Sequence, residues 1–283
     1  MQMLYLNSTD SVYNETEKYY RFTLPRPITT NNKSMSLRLV ECEIPITYFN
    51  IITNYNDFLE ISLISSADPL NVKYYELTIP QKNYSVQEML TTLNALIVTS
   101  GATFANLTTS MSFNSQTLRF SVDVVSSDTT KVNFIGVDEF HTTAGKILGA
   151  TSAVITPNAT SGSLEFTNSI NMNRTKNIYI MTNNIGLDTR TNVNDNKLSI
   201  LSKVQASEPF GSIVSYQSEY DEYITINPRI NYIDYIDIYL RDDESQDLYL
   251  NGVCFCISLL FKEGEISNTS TREARGVLNQ LSM

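Results

Sequence analysis

The stretch Tyr235-Ile236-Asp237-Ile238-Tyr239-Leu240-Arg241 alternates aliphatic and polar residues along its length. A period of two places the three aliphatic side chains on one face of a β-strand and predicts that this face alone is buried. After a polar turn at residues 242–247, residues 253–261 are apolar at most positions, which predicts a second strand with both faces shielded from water. A strand of this kind is typical of the middle of a sandwich of two packed sheets.

The composition also favours a β protein. Charged residues make up only 18% of the 283 residues, and Asn, Thr, Ser and Tyr take their place, which suits strands and turns better than helices. The length is sufficient for one elaborated domain or two. The net charge of −10 argues against attraction to phosphate backbones, so we expect no direct binding of nucleic acid.

Strand-like segments lie towards both ends of the chain. They are predicted at residues 3–6, 19–24, 34–43, 163–166, 177–182, 200–204, 212–216 and 223–226, in addition to the two segments above. Pro25 and Pro27 are expected to end the second of these, because proline cannot donate to a ladder. The spacing predicts a mainly β fold, a single jelly-roll β-sandwich formed by residues 1–53 and 161–262.

Residues 54–160 are predicted to form an inserted α+β lobe with one helix and hairpins. Ser85 and Glu88 match a capping box, and apolar residues follow at helical spacing as far as Ile97, with Gly101 placed to end the helix. A hairpin is expected across residues 114–116, and a short helix at residues 142–148 that stops at Gly149. Residues 263–283 are interpreted as a C-terminal tail or arm, either a short amphipathic helix that needs a partner or a frayed end.

Three cysteines, Cys42, Cys254 and Cys256, form an odd set and imply no disulfide framework. We expect them to be buried free thiols that behave as small hydrophobes rather than metal ligands. The first residues lack a basic start, and no stretch approaches the ~20 apolar residues of a membrane span. These features predict a protein kept in a reducing, soluble compartment, without a membrane span.

Catalytic patterns are missing from the sequence. His141 is the only histidine, so a histidine-based triad has at most one candidate base and a multi-histidine metal site is excluded. No nucleophile elbow, phosphate-binding loop or zinc-spaced cysteine set occurs. We therefore expect a structural role for His141, no catalytic, cofactor-binding or metal-ligating residues, no cofactor, and no enzymatic activity.

Carboxylates are the one catalytic residue type present in number, and they keep a glycoside hydrolase as a third hypothesis. Such enzymes need two carboxyl groups about 5–10 Å apart. The candidates are Glu41 and Glu43 on one predicted strand, where Glu41 is expected on the same face as Leu37 and Leu39, and Asp234 and Asp237 on another. The absence of Trp, a common floor for sugars, disfavours this hypothesis.

The acidic turn offers a different interpretation, a Ca²⁺ site, because hard cations bind several carboxylate oxygens. It lacks glycine and the spacing of an EF-hand loop, so a solvated hairpin tip is favoured. Its acidic residues are Asp242, Asp243, Glu244 and Asp247.

The seventeen tyrosines suit a weakly charged protein–protein interface, since tyrosine is amphipathic and enriched at such contacts. Packing in the core or on a sheet surface explains some of them equally well.

Several segments, in the same order, resemble the penton (minor capsid, vertex) proteins of virophages and Polinton-like viruses. The likeness spans residues 19–262 and rests on IPITYFNI at 44–51, LTIPQKNYS at 77–85, KILG at 146–149, NIYIMTN at 177–183, IDIYLRDD at 236–243 and LNGVCFCISLLF at 250–261. The chain departs from that pattern at residues 81–83 and 242–245, where glycine is missing from the turns.

This resemblance implies a single jelly roll, with five copies forming a homopentamer at each fivefold vertex of an icosahedral double-stranded DNA virus. It implies a virion location after assembly in the host cytoplasm. The implied partners are the double jelly-roll major capsid protein and cementing proteins, contacted by arms at residues 1–13 and 263–283. The alternative hypothesis is a jelly-roll carbohydrate-binding or fibre-knob-like attachment protein.

Overall fold

The structure is a computed structural model and describes residues 1–29, 34–100, 106–138, 141–173, 175–185, 198–219, 222–227 and 230–264. The strands are β1 (Gln2–Asn7), β2 (Val12–Asn14), β3 (Tyr19–Thr29), β4 (Ser34–Pro45), β5 (Phe58–Ser65), β6 (Asp68–Thr78), β7 (Leu107–Asn114), β8 (Arg119–Ser126), β9 (Val132–Val137), β10 (Ala153–Ile155), β11 (Ser161–Glu165), β12 (Asn177–Thr182), β13 (Ser199–Gln205), β14 (Ile213–Gln217), β15 (Ile224–Thr225), β16 (Tyr232–Arg241) and β17 (Cys256–Gly264). The helices are α1 (Val86–Thr99), α2 (Gly145–Leu148) and a 3-10 turn at Ser8–Asp10.

The chain divides into two compact units. Unit 1 comprises Met1–Tyr48 and Thr175–Met283, and unit 2 is Phe49–Arg174. The lobe expected at residues 54–160 lies within unit 2. The strand predicted at residues 163–166 belongs to unit 2 rather than to the sandwich, because β11 pairs with β8 and Leu164 and Phe166 are buried in the core of unit 2.

Unit 1 is a jelly roll. One sheet, sheet A, has the order β1-β17-β4-β14, with β15 also paired to β4, and sheet B has the order β13-β12-β16-β3-β2. The main strands pair in a nested way: β1 with β17, β3 with β16, β4 with β14 and β12 with β13, all antiparallel. Two such sheets with nested pairing are the jelly-roll arrangement. The predicted fold class is therefore confirmed.

The apolar residues of both sheets meet in one core. Ile236, Ile238 and Leu240 of β16 are buried in it together with Leu259 and Phe261 of β17. β17 lies between β1 and β4, and its middle residues 257–261 are buried on both faces, whereas Cys256 is exposed. β17 starts at Cys256 rather than at residue 253, and Val253 is exposed.

Two expectations for this region are wrong. β16 and β17 belong to different sheets, so residues 242–255 form a crossover rather than a hairpin. The polar face of β16 is also more enclosed than alternation predicts, because Asp237 and Tyr239 are buried. Alternation reports the hydrophobic face of a strand but not what covers its polar face.

β3 continues through Pro25 and Pro27 to Thr29, contrary to the prediction that these prolines end it. The register against β16 jumps from Thr23 opposite Tyr235 to Ile28 opposite Ile233. The prolines thus lie in a bulged stretch, where the ladder does not need an N–H from every residue.

The N-terminal arm expected at residues 1–13 is part of the jelly roll instead. β1 pairs along its length with β17, and β2 pairs with β3. The tail expected at residues 263–283 begins inside β17, which ends at Gly264, and its remaining residues lie outside the described ranges.

Unit 2 has its own core. The described strands form a sheet of order β10-β9-β5-β6 and another of order β11-β8-β7, and α1 buries Met89, Leu93 and Ile97. The predicted capping box of Ser85 and Glu88 is confirmed, as is the hairpin, formed by β7 and β8. The short helix α2 stops at Gly149, which has a φ of 77°. Gly101 lies outside the described residues.

Candidate functional site

A groove crosses the outer face of sheet A. Two cross-strand rows build it: Tyr5, Ser258, Glu41 and Gln217 lie opposite one another, as do Asn7, Cys256, Glu43 and Ser215. With Asp10 these residues line a cavity of about 740 Å³, which we call the acidic groove. The rows follow from strand pairing, because residues that face each other across antiparallel strands project to the same side.

A bulge in β4 turns the two glutamates into the acidic groove. The register against β17 shifts between Leu39 and Glu41, so the buried positions change from Leu37 and Leu39 to Cys42 and Ile44. Glu41, expected on the core face, is exposed beside Glu43 for this reason. An extra residue in one strand inverts the alternation beyond it.

The acidic groove is built for hydrogen bonding rather than for nucleophilic attack. The Ser258 hydroxyl donates to Glu41 Oε1 at 2.8 Å, and none of the described residues that line the groove is Lys, Arg or His. Burial, followed by the charge of Glu43, raises the pKa of the Cys256 thiol. A thiol with a raised pKa stays protonated at neutral pH and is a poor nucleophile.

Glu41 and Glu43, the candidates for a paired-acid site, line the same cavity but lie on the same strand. Glycosidases place their carboxyl groups on either side of the scissile bond, and adjacent positions on β4 do not form such a pair. Asp10 is a third carboxylate in the same groove. The acidic groove therefore favours binding of polar or cationic groups over hydrolysis.

The other paired candidates are separated. Asp234 is exposed, whereas Asp237 is 2% exposed and receives two hydrogen bonds of 2.8 Å from Arg21, through Nε and Nη2. The Arg21 guanidinium lies 4.3 Å from the Tyr235 ring centroid and 5.1 Å from that of Tyr19. The hydrogen bond to Asp237 raises the pKa of Arg21 above its usual range. This is a structural ion pair.

The acidic turn is a structural feature of the crossover, not a solvated tip. Asp242 is buried and its Oδ1 accepts from the backbone N–H groups of Glu244 and Gln246, both at 2.8 Å. Asp243 accepts from the backbone N–H groups of Lys176 and Asn177.

The surroundings of Asp243 act on its acidity in opposite directions. Burial alone would raise the pKa of Asp243, but the hydrogen bonds from Asn177 and from the two backbone N–H groups outweigh it and lower the pKa. Asp242 Oδ1 and Asp243 Oδ2 accept from backbone N–H groups, and Asp243 Oδ1 accepts from the Asn177 side chain, which disfavours the Ca²⁺ interpretation.

The cysteines divide differently from the expectation. Cys42 is buried, and burial raises its pKa to about 12. Cys254 and Cys256 are exposed, because Cys254 precedes β17 and Cys256 faces the acidic groove. The core residues Ile257, Leu259 and Phe261 lie on the opposite face of β17 from Cys256.

The tyrosines also fall into two groups. Tyr19 and Tyr239 pack against each other with ring centroids 5.4 Å apart in a small buried cluster on sheet B. Tyr5, Tyr232 and Tyr249 of unit 1 each expose more than half of their surface. The exposed tyrosines of unit 1 fit the hypothesis that tyrosines form a protein–protein interface.

One grouping joins residues that are far apart in the sequence. His141 lies beside Glu60 of β5 and Asp138, with His141 Nδ1 at 3.3 and 3.1 Å from their carboxylate oxygens. The sheet brings them together, since Ile61 of β5 lies opposite Val137 of β9. No local spacing links residue 60 to residue 138, so sequence inspection could not find this cluster.

None of the helices in the described part of the chain is long and apolar enough to cross a membrane. No protein-family model and no curated protein matches the sequence.

Solved structures do match. The mavirus penton protein superposes with a TM-score of 0.51 at 11% identity, covering 93% of this chain and all of that one. A chain of the Sputnik virophage structure gives a TM-score of 0.42 at 13% identity, covering 92% and 98%. The mavirus match shows that this chain shares the fold of that protein.

Proposed function

We propose that the protein is a structural minor capsid protein that forms homopentameric pentons at the fivefold vertices of an icosahedral double-stranded DNA virus. The observation that carries this proposal is the shared fold with the mavirus penton protein over 93% of the chain. The jelly roll of unit 1 is an architecture used by viral capsid domains. The proposed location is the virion, after assembly in the host cytoplasm.

The surface of unit 1 supports an assembly role. A ring of identical subunits needs two different patches on each subunit, one for each neighbour. The acidic groove supplies a polar face, and Met3, Tyr5 and Ile213 are large exposed apolar residues on the strands that carry it. A mixture of exposed aromatic and polar groups is typical of protein contacts. The proposed outer partners are a double jelly-roll major capsid protein and cementing proteins.

The oligomeric state tests this proposal. Native mass spectrometry of the purified full chain should show a species of five 32.0 kDa subunits, about 160 kDa, and negative-stain images should show fivefold rings. Because penton rings can depend on their neighbours, the measurement is repeated with the virus's major capsid protein. A trimer, or a monomer that joins no capsid lattice, would contradict the proposal.

The acidic groove favours one second candidate, a carbohydrate-binding attachment protein. Tyr5, the carboxylates of Glu41 and Glu43, and the amides of Asn7 and Gln217 are groups that can bind sugar hydroxyls. Glycan-array binding that Glu43→Gln abolishes, together with a trimeric or monomeric state, would favour this function over the penton.

A further inference from the structure

The only histidine of the chain lies between two carboxylates in unit 2. Its Nδ1 is 3.3 Å from Glu60 Oε1 and 3.1 Å from Asp138 Oδ2, and the three donor atoms all lie within 4.8 Å of one another. We call Glu60, Asp138 and His141 the His141 cluster. It combines one nitrogen and two oxygen donors of the kind that metals bind.

Glu60 of the cluster lies next to a further acidic residue. Glu60 lies directly opposite Glu76 in the pairing of β5 with β6, and like charges at opposed positions destabilise a sheet. The Glu60 side chain is only 14% exposed, so water screens its charge poorly. Glu76 thus adds a negative charge next to that of Glu60, and a cation bound by the His141 cluster would offset this repulsion.

The cluster lies on a fixed frame. On β5, two residues before Glu60, Phe58 accepts a backbone hydrogen bond from Ala144 and donates its own N–H to Thr143 Oγ1. The Glu60 N–H donates to Thr142 Oγ1 at 3.2 Å. The segment that follows His141 is therefore hydrogen-bonded to β5, the strand of Glu60. A preorganised frame reduces the entropy lost when a ligand binds.

The donor set and its spacing favour zinc. Two atoms bound to tetrahedral Zn²⁺ at about 2.0–2.1 Å lie about 3.3 Å apart, which agrees with the two distances from His141 Nδ1. Ca²⁺ and Mg²⁺ prefer all-oxygen sites, whereas imidazole with carboxylates suits Zn²⁺. Three protein ligands leave a fourth position for water or for a group from another molecule.

We propose that unit 2 binds one Zn²⁺ through His141 Nδ1 and the carboxylates of Glu60 and Asp138. The metal would join the segment that carries His141 to the middle of β5 and neutralise the charge shared with Glu76. This inference does not depend on the proposed function, because it rests on the described side chains of unit 2 alone.

The test uses the untagged full chain, freed of metal with EDTA and titrated with ZnCl₂ by calorimetry. We expect one zinc per chain, a rise in the melting temperature of unit 2, and X-ray absorption that shows a single imidazole ligand, which must be His141. Absence of zinc binding by the wild-type protein would overturn the proposal without any variant.

Two variants separate coordination from general attraction of cations. His141→Gln keeps every carboxylate but removes the imidazole nitrogen that would bind the metal, and should weaken zinc binding by about tenfold or more. Glu76→Gln removes a neighbouring charge but keeps all three donors, and should weaken it much less. Equal affinity of His141→Gln and wild type, or an equal loss in both variants, would show a diffuse acidic patch instead. Circular dichroism of the metal-free variants checks that both are folded.

Discussion

The ion pair of Arg21 and Asp237 shows how one buried carboxylate constrains its surroundings. Asp237 is enclosed on sheet B, and its N–H donates to Asn184 Oδ1 at 3.1 Å while Arg21 holds both carboxylate oxygens. Removing one partner of such a pair leaves an uncompensated charge, which is more damaging than removing both. The Tyr235 ring beside Arg21 keeps the guanidinium in place.

Arg21→Ala should lower the free energy of unfolding by about 3 kcal/mol, since the Asp237 carboxylate would remain buried without a cation. Urea denaturation measures this loss. Arg21→Lys is the matched control and should lose less, because it keeps the charge but not the two-point geometry. The double variant Arg21→Ala/Asp237→Ala should be more stable than Arg21→Ala, and a double variant that is less stable would contradict this explanation.

The three thiols should react at different rates. In native protein at pH 7.5, a thiol reagent should modify the exposed Cys254 and Cys256 before Cys42, whose pKa of about 12 and burial protect it. Mass spectrometry of peptides identifies the modified residue. Cys42→Ser provides the matched control, because its native labelling should equal that of the wild type. Early modification of Cys42 would mean that sheet A opens readily.

At the scale of elements, the start of α1 is the part that the sequence predicts best. Ser85 Oγ accepts from the Glu88 N–H at 3.3 Å, and Glu88 Oε2 accepts from the Ser85 N–H at 2.9 Å. Ser85→Ala should lower the stability of unit 2 by about 1 kcal/mol. Thermal unfolding measures it, and Ser100→Ala at the other end of the helix is a control expected to lose less.

The same cap makes a pH-dependent contribution. The hydrogen bond from Lys82, followed by those from Ser85, lowers the pKa of Glu88 to about 2 from its ordinary 4.5. A folded-state pKa below the unfolded value stabilises the protein above pH 4.5, and this stabilisation is lost as the pH falls from 4.5 towards 2. An NMR titration of the Glu88 carboxyl carbon should show the low midpoint, and Lys82→Met should raise it. A midpoint near 4.5 in the wild type would contradict the cap geometry.

Other elements show where sequence patterns stop being informative. Alternation located β4, but the bulge between Leu39 and Glu41 depends on pairing with β17, which no local pattern reports. Local patterns therefore do not predict the position of Glu41 in the acidic groove. The continuation of β3 through its two prolines depends in the same way on a register shift against β16. Glu60, Asp138 and His141 were not grouped, because the contact is made by strands distant in sequence. Local spacing predicts elements, whereas long-range register decides which side chains meet.

At the scale of the whole molecule, the spacing of strands and the resemblance to pentons predicted the jelly roll, but not its connections. Sequence proximity suggested that β16 and β17 form a hairpin, whereas nested pairing sends them to opposite sheets. β16 pairs with β3 and β17 pairs with β4, so two strands that are consecutive in the chain lie in different sheets. Adjacency alone therefore does not reveal pairing.

We predict that each unit folds around its own core. The buried clusters of units 1 and 2 share no residue, so residues 49–174 alone should unfold cooperatively and give a dispersed NMR spectrum. In that fragment Phe120→Ala, at a fully buried position, should lower stability by about 3–5 kcal/mol. A fragment without a cooperative transition would show that unit 2 needs unit 1 to fold.

The placement of the last described strand has a consequence for synthesis on the ribosome. β17 fills the gap between β1 and β4, yet it is translated after all the other described strands. Until β17 is synthesised, the edges of β1 and β4 that pair with it stay unpaired, although unit 2 has already left the exit tunnel. Exposed edges of this kind invite pairing with other nascent chains, so slow translation of residues 242–264 should increase the protein's dependence on chaperones.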